Sequence, residues 1–109
     1  METSVSIIDF IYEHISIHTS ILITNTEIEA SSYFGLLSSK DYPCSRINNI
    51  SDSSRILILT QDELLSTDIN KVYDTNFITI WFVQGSSTLI NMLPVILHYS
   101  SNPSIISLT

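Results

Sequence analysis

Phe77-Ile78-Thr79-Ile80-Trp81-Phe82-Val83 is the longest nearly unbroken apolar run in the body of this chain. Successive side chains of a strand point to opposite faces of its sheet, so apolarity that does not alternate marks a strand covered on both sides. Two shorter runs upstream read the same way, Ile56-Leu57-Ile58-Leu59 and Ile21-Leu22-Ile23. Each of the three is followed by a polar stretch that opens a helix. After the first comes Thr26-Glu27-Ile28-Glu29 and after the second Thr60-Gln61-Asp62-Glu63. Both fit a capping box, in which a Thr hydroxyl and a Glu carboxylate satisfy the unpaired amides of a helix start. After the third, Gly85-Ser86-Ser87 leads into Leu89, Ile90, Met92, Leu93, Ile96 and Leu97. That stretch is apolar almost all round and predicts a well-buried helix.

Working outward, Ser6 caps an expected first helix to about Ile15, with Ile8, Ile11, Tyr12 and Ile15 on one face. The strand from Ser20 to Asn25 follows, then a helix with the stripe Ala30, Tyr33, Phe34 and Leu37 that ends before Asp41-Tyr42-Pro43. Ser38 to Ser54 reads as an irregular polar connection. Arg55 to Leu59 is the next strand, and Leu65, Ile69, Val72 and Tyr73 give the stripe of one helix after it. Pro94 either kinks its helix or marks the true first turn, because it lacks a backbone donor. Pro103 stops that helix, and Ile105 to Leu108 is a final strand. Strand–helix repetition with right-handed crossovers predicts one α/β domain over residues 1–109, a small three-layer, Rossmann-like sandwich with about four mostly parallel strands.

Composition narrows the function. Hydrophobic residues make up 44% of the chain and charged residues 14%, against about 25% charged in an average soluble domain. Few charges leave apolar surface for a partner to cover. Eleven acidic residues against four basic ones give a net charge of −7. Lys40, Arg46, Arg55 and Lys71 stand singly, so neither autonomous nucleic-acid binding nor docking on anionic membranes is expected. No run approaches a membrane span, and no basic residue precedes the first apolar segment as a signal peptide requires. An intracellular protein, in cytoplasm or nucleus, is the expectation, with Asn49-Ile50-Ser51 a chance match to the glycosylation triplet.

The catalytic kit is sparse. Gly35 and Gly85 are the only glycines, and neither lies in a Walker or dinucleotide motif, so no nucleotide cofactor is expected. His14 and His18 are four apart but lack a third ligand, so no metal site is expected. His98 reads as a helix-end histidine favoured by the dipole. Cys44 is a lone thiol in a polar loop, and no G-x-S-x-G elbow surrounds any serine. Asp62 and Glu63 lie beyond a strand's carboxyl end, where α/β folds carry catalytic groups, but capping accounts for them, as it does for Glu27 and Glu29. Trp81 and Phe82 point to opposite faces as core residues.

Arg55 to Thr109 resembles stripped-down α/β subunits that sit beside an active partner, on Ile56-Leu57-Ile58-Leu59-Thr60-Gln61-Asp62 and on Phe77 through Leu97. Inactive nuclease-like partners in DNA repair and accessory recombinase-like subunits without Walker motifs are of this kind. The resemblance implies an accessory subunit of a repair or recombination assembly. The residues themselves point to a non-catalytic protein–protein interaction subunit of a heteromeric complex. Its expected partner-binding residues are Leu89, Leu93, Ile96 and Leu97 on the last helix and Ile105, Ile106 and Leu108 on the last strand. The alternative is a small enzyme or switch using Asp62 and Glu63 at the sheet's carboxyl edge.

Overall fold

The computed structural model describes residues 9, 11, 19–50, 54–73, 79–100 and 102–108. Five parallel strands form one sheet in the order β2-β3-β1-β4-β5, with β1 at Thr19–Thr24, β2 at Cys44–Arg46, β3 at Ile56–Thr60, β4 at Thr79–Gln84 and β5 at Ser104–Leu108. Helices α1 (Glu27–Ser39), α2 (Gln61–Ser66), α3 (Ile69–Val72) and α4 (Ser86–Tyr99) connect them. The expected parallel α/β sandwich is what forms, with five strands in place of about four.

The register shows why the apolar runs do not alternate. Ile21, Leu22 and Ile23 of β1 stand beside Leu57, Ile58 and Leu59 on one side and Trp81, Phe82 and Val83 on the other. All nine are fully buried. Ile21, Ile23, Leu57, Leu59, Trp81 and Val83 face Leu64, Ile69, Met92 and Ile96 of α2, α3 and α4. Leu22, Ile56, Ile58, Ile80 and Phe82 face Ala30, Tyr33 and Leu37 of α1, together with Ile11. Trp81 and Phe82 therefore do occupy opposite layers. Burying side chains of this size is worth roughly 1.5–3 kcal/mol each.

Local chemistry sets the helix ends. Glu29 N–H donates to Thr26 Oγ1 and Thr26 N–H to Glu29 Oε1, both at 3.2 Å. Thr60 and Glu63 repeat the arrangement at 3.2 and 2.9 Å, so both capping boxes form. Helix α1 closes with Asp41 at φ 62°, Tyr42 N–H on Leu37 O and Asp41 N–H on Ser38 O. That is a Schellman closure with Asp where glycine is usual.

Three expectations change. The polar connection contains β2, whose Ser45 is buried, anchored where Arg55 and Ile56 donate their N–H groups to Pro43 O. The single helix expected around Leu65 and Tyr73 is two short ones. Thr67 is extended, Asp68 caps α3 by accepting from Asn70 N–H, and Tyr99 OH donates to Thr67 O while accepting from Ile69 N–H. Ser, Thr and Asp side chains compete with helical bonding in this way, and Tyr99 satisfies the broken turn. Leu65 and Val72 are exposed as a result, while Leu64, Ile69 and Tyr73 are buried. Helix α4 starts at Ser86 with Pro94 inside it on the exposed side, so Pro94 does not mark the first turn. Nor is α4 buried all round. The expected first helix lies outside the described residues apart from Asp9 and Ile11, which are helical; Phe77 and Ile78 also lie outside them.

Candidate functional site

Strands β1 and β4 are neighbours whose following helices, α1 and α4, cover opposite faces. Open α/β sheets bind ligands in the crevice outside the carboxyl ends of such a strand pair. Here the crevice is closed by the chain's own neutral polar groups. Asn25 Nδ2 donates to Gln84 O at 3.2 Å, and Asn25 Oδ1 accepts from Gln61 Nε2 at 2.9 Å and from the Thr88 hydroxyl. Gly85, at φ 92° and ψ 146°, turns the chain into α4 and provides no side-chain cap. Only glycine adopts that backbone conformation without strain. The cluster can donate and accept neutral hydrogen bonds, and it contains neither a nucleophile–base pair nor a cation.

One strand further along the edge, Arg46 joins the acidic groups of two helix starts. Its guanidinium grips Glu27 through both terminal nitrogens, at 2.9 and 2.8 Å, and reaches Glu63 at 3.2 Å, while Nε donates to Ile58 O at 3.1 Å. Bonds from Arg46 and then Ser31 hold the Glu27 carboxyl below its ordinary value, and Glu27 raises that of Arg46. Arg46 is 19 and 17 residues from these carboxylates in the chain, and the fold brings it to both. Glu63 is thereby held by Arg46 and by Thr60 N–H, whereas Asp62 is exposed.

On the α1 side, Ile28, Glu29, Ser32, Tyr33, Leu36 and Gln84 line an open cleft of about 180 Å³. Tyr33 OH donates to Gln84 Oε1 at 2.6 Å. Burial and then the Glu29 charge push the Tyr33 phenol above its ordinary pKa. Cys44 sits at the start of β2, its sulfur 3.4 Å from Ser38 Oγ. His98, exposed in the last turn of α4, stacks edge-on against Tyr99 with ring centroids 5.3 Å apart. Among the described residues no group of three or more His, Cys, Asp or Glu could hold a metal ion; His14 and His18 lie outside them.

The expected partner-binding residues separate into three sets. Leu93 and Leu97 are exposed, Leu89, Ile105 and Ile106 are half-buried, and Ile96 and Leu108 are core residues whose side chains face inward. Ile90, absent from the expected set, is the most exposed apolar side chain of α4 at 73%. Ile90, Leu93 and Leu97 follow i, i+3, i+7 spacing and form one outward stripe. The signal was in the sequence: Met92 and Ile96 make a second stripe, and a helix on a sheet buries only one. Strand β5 pairs with β4 from Ile80↔Ser104 to Gln84↔Leu108 and, among the described residues, is the last strand on its side.

No family model, curated protein or solved structure matches the chain. Among the described residues no helix is long and apolar enough to cross a membrane.

Proposed function

We propose that the chain is a non-catalytic protein–protein interaction subunit of an intracellular assembly, held there through the outer face of α4 and the edge strand β5. One observation carries this reading: Ile90, Leu93 and Leu97 are 73%, 38% and 50% exposed on a single helical stripe, directly behind a buried stripe that already satisfies the sheet. Isolated exposed apolar residues are ordinary, but an aligned stripe beside an open sheet edge is what a partner covers. The carboxyl-edge crevice supports the same reading, because its polar groups bond to one another and Glu63 is engaged by Arg46 and a helix cap. A setting in DNA repair or recombination rests on the resemblance of Arg55 to Thr109 alone.

Affinity purification from the native source, followed by intact-mass measurement, tests the proposal. The expected product is an assembly heavier than the 12.3 kDa chain, lost in Ile90→Glu/Leu97→Glu and retained in Asp62→Ala. Biological activity abolished by Asp62→Ala with the assembly intact would replace this reading with the carboxylate enzyme or switch.

A further inference from the structure

The cleft lined by Ile28, Glu29, Ser32, Tyr33, Leu36 and Gln84 has a volume of about 180 Å³. Sites for drug-sized molecules run to roughly 300–1,000 Å³, so this one admits nothing much larger than a single side chain. Tyr33 is its most buried member, at 6% exposure. The Tyr33 OH donates to Gln84 Oε1, and Gln84 O in turn accepts from Asn25 Nδ2. The phenol proton is thereby committed, and the lone pairs of the oxygen remain as acceptors. Glu29 makes all its bonds through Oε1, which accepts from Asn25 N–H, Thr26 N–H and the Thr26 hydroxyl. Among the described residues, neither Glu29 Oε2 nor the exposed Ser32 Oγ has a hydrogen-bond partner. Ile28, 80% exposed, and the half-buried Leu36 add apolar wall. Glu29 also lacks a cation. The whole chain has four Lys and Arg residues, and each is placed elsewhere. Arg46 holds Glu27 and Glu63, and Lys40 lies 3.9 Å from Asp9 beyond the far end of α1. Arg55 precedes β3 beside Pro43, and Lys71 belongs to α3 on the opposite face of the sheet.

We infer that this cleft binds a primary ammonium carried on a short aliphatic chain. A carboxylate without a cation selects positive charge. Three separate acceptors line the cleft, Glu29 Oε2, Tyr33 Oη and Ser32 Oγ, and they match the three N–H donors of an ammonium group. A guanidinium fits less well, because its planar fork takes both oxygens of one carboxylate and the helix start already occupies Oε1. Ile28, Leu36 and the Tyr33 ring cover the methylenes, as apolar surface does along a lysine stem. An anion would meet the Glu29 charge with nothing to offset it. The chemistry is that of a free alkylamine or of a lysine side chain on another protein. The cleft shares no residue with the α4 and β5 docking face, so it stands independently of that reading.

Two-dimensional amide NMR of the full-length chain tests the inference, with three probes titrated in turn: n-butylammonium chloride, 1-butanol, and a lysine blocked at its α-amino and carboxyl groups. n-Butylammonium should shift the amides of residues 28–36 and Gln84 most, with a Kd of about 1–10 mM, as so small a ligand allows. 1-Butanol has the same size without the charge and should bind more weakly. Glu29→Gln removes the charge and keeps the capping box, which takes Gln as well as Glu. It should weaken n-butylammonium binding by about fivefold or more, since a charge-assisted bond becomes a neutral one. Tyr33→Phe removes one acceptor and should weaken it by about twofold or more. Circular dichroism checks that both variants are folded. Blocked lysine binding as tightly as n-butylammonium supports the inference with a protein side chain as the source, and n-butylammonium binding alone supports it with a free amine. Shifts spread equally over the exposed Asp62 and Asp68 overturn it, as does binding that 1-butanol equals or that Glu29→Gln leaves unchanged. No binding of either amine overturns it as well.

Discussion

Arg46 bonds to Glu27, Glu63, Ser31 and the Ile58 carbonyl with one guanidinium, binding β2 to β3 and to the first turns of α1 and α2. Its side chain is only 15% exposed. No local pattern foretells this, because Glu27 and Glu63 are 19 and 17 residues away in sequence and meet Arg46 only once β2 is recognised as a strand. What was legible at each carboxylate was its capping role, since a box needs only residues three apart. Arg46→Met should cost about 1.5–3 kcal/mol at neutral pH, the range for hydrogen bonds to charged groups. The pH dependence has a definite sign. Glu27 is held below its ordinary value of 4.5, so its contribution is present above that value and is lost as the pH falls through the lower folded one. Urea midpoints taken from about pH 6 to about pH 3 should fall more steeply for wild type than for Arg46→Met or Glu27→Gln. Parallel acid limbs would mean that the clamp does not persist in solution.

Elements differ in how openly they are written. Strands β1, β3 and β4 are unmistakable because each is buried on both faces, and α1 is fixed by a capping box at one end and Tyr42-Pro43 beyond the other. Strand β2 is obscure, since three residues containing a buried Ser and a half-buried Cys and Arg resemble a loop until the neighbouring Ile56–Ile58 ladder is in place. The break between α2 and α3 is settled by Tyr99, which arrives from α4 and has no local trace. The two glycines make opposite predictions about element boundaries. Gly85 has nothing closer than 3.9 Å to an added Cβ but sits at φ 92°, so Gly85→Ala should destabilise by about 1–3 kcal/mol through backbone strain alone. Gly35 is inside α1 with nothing within 4 Å of an added Cβ. There Gly35→Ala should stabilise by about 0.4–1 kcal/mol, mainly by restricting the unfolded chain. Denaturant melts of both variants check the pair, and equal signs would show that Gly85 does not hold the positive-φ backbone described.

For the whole molecule, layer architecture followed from apolar runs and connection handedness, whereas the strand order that brings Asn25, Gln61, Gly85 and Thr88 together had no signal in any one segment. The docking surface was half legible: the apolar excess of residues 89–97 was evident, but which side of α4 met the sheet was not, so buried Ile96 stood beside exposed Leu93 in the same expectation. Orientation is decided by competition for one sheet face. Met92 and Ile96 share one core layer with Ile21, Leu57 and Trp81, and Ile90 is 73% exposed on the same helix. In dilute solution, Ile90→Lys should therefore change stability by no more than about 0.5 kcal/mol, as exposed substitutions do. Ile96→Lys should cost about 3–5 kcal/mol or unfold the chain, because it removes core packing and buries a charge with no partner. Denaturant melts measure both, and light scattering on concentrated samples reads the other consequence. Ile90→Lys should be more soluble than wild type, since it breaks an apolar stripe on a surface without compensating charge. Equal damage from the two substitutions would mean that α4 is buried all round and would remove the stripe as a docking face.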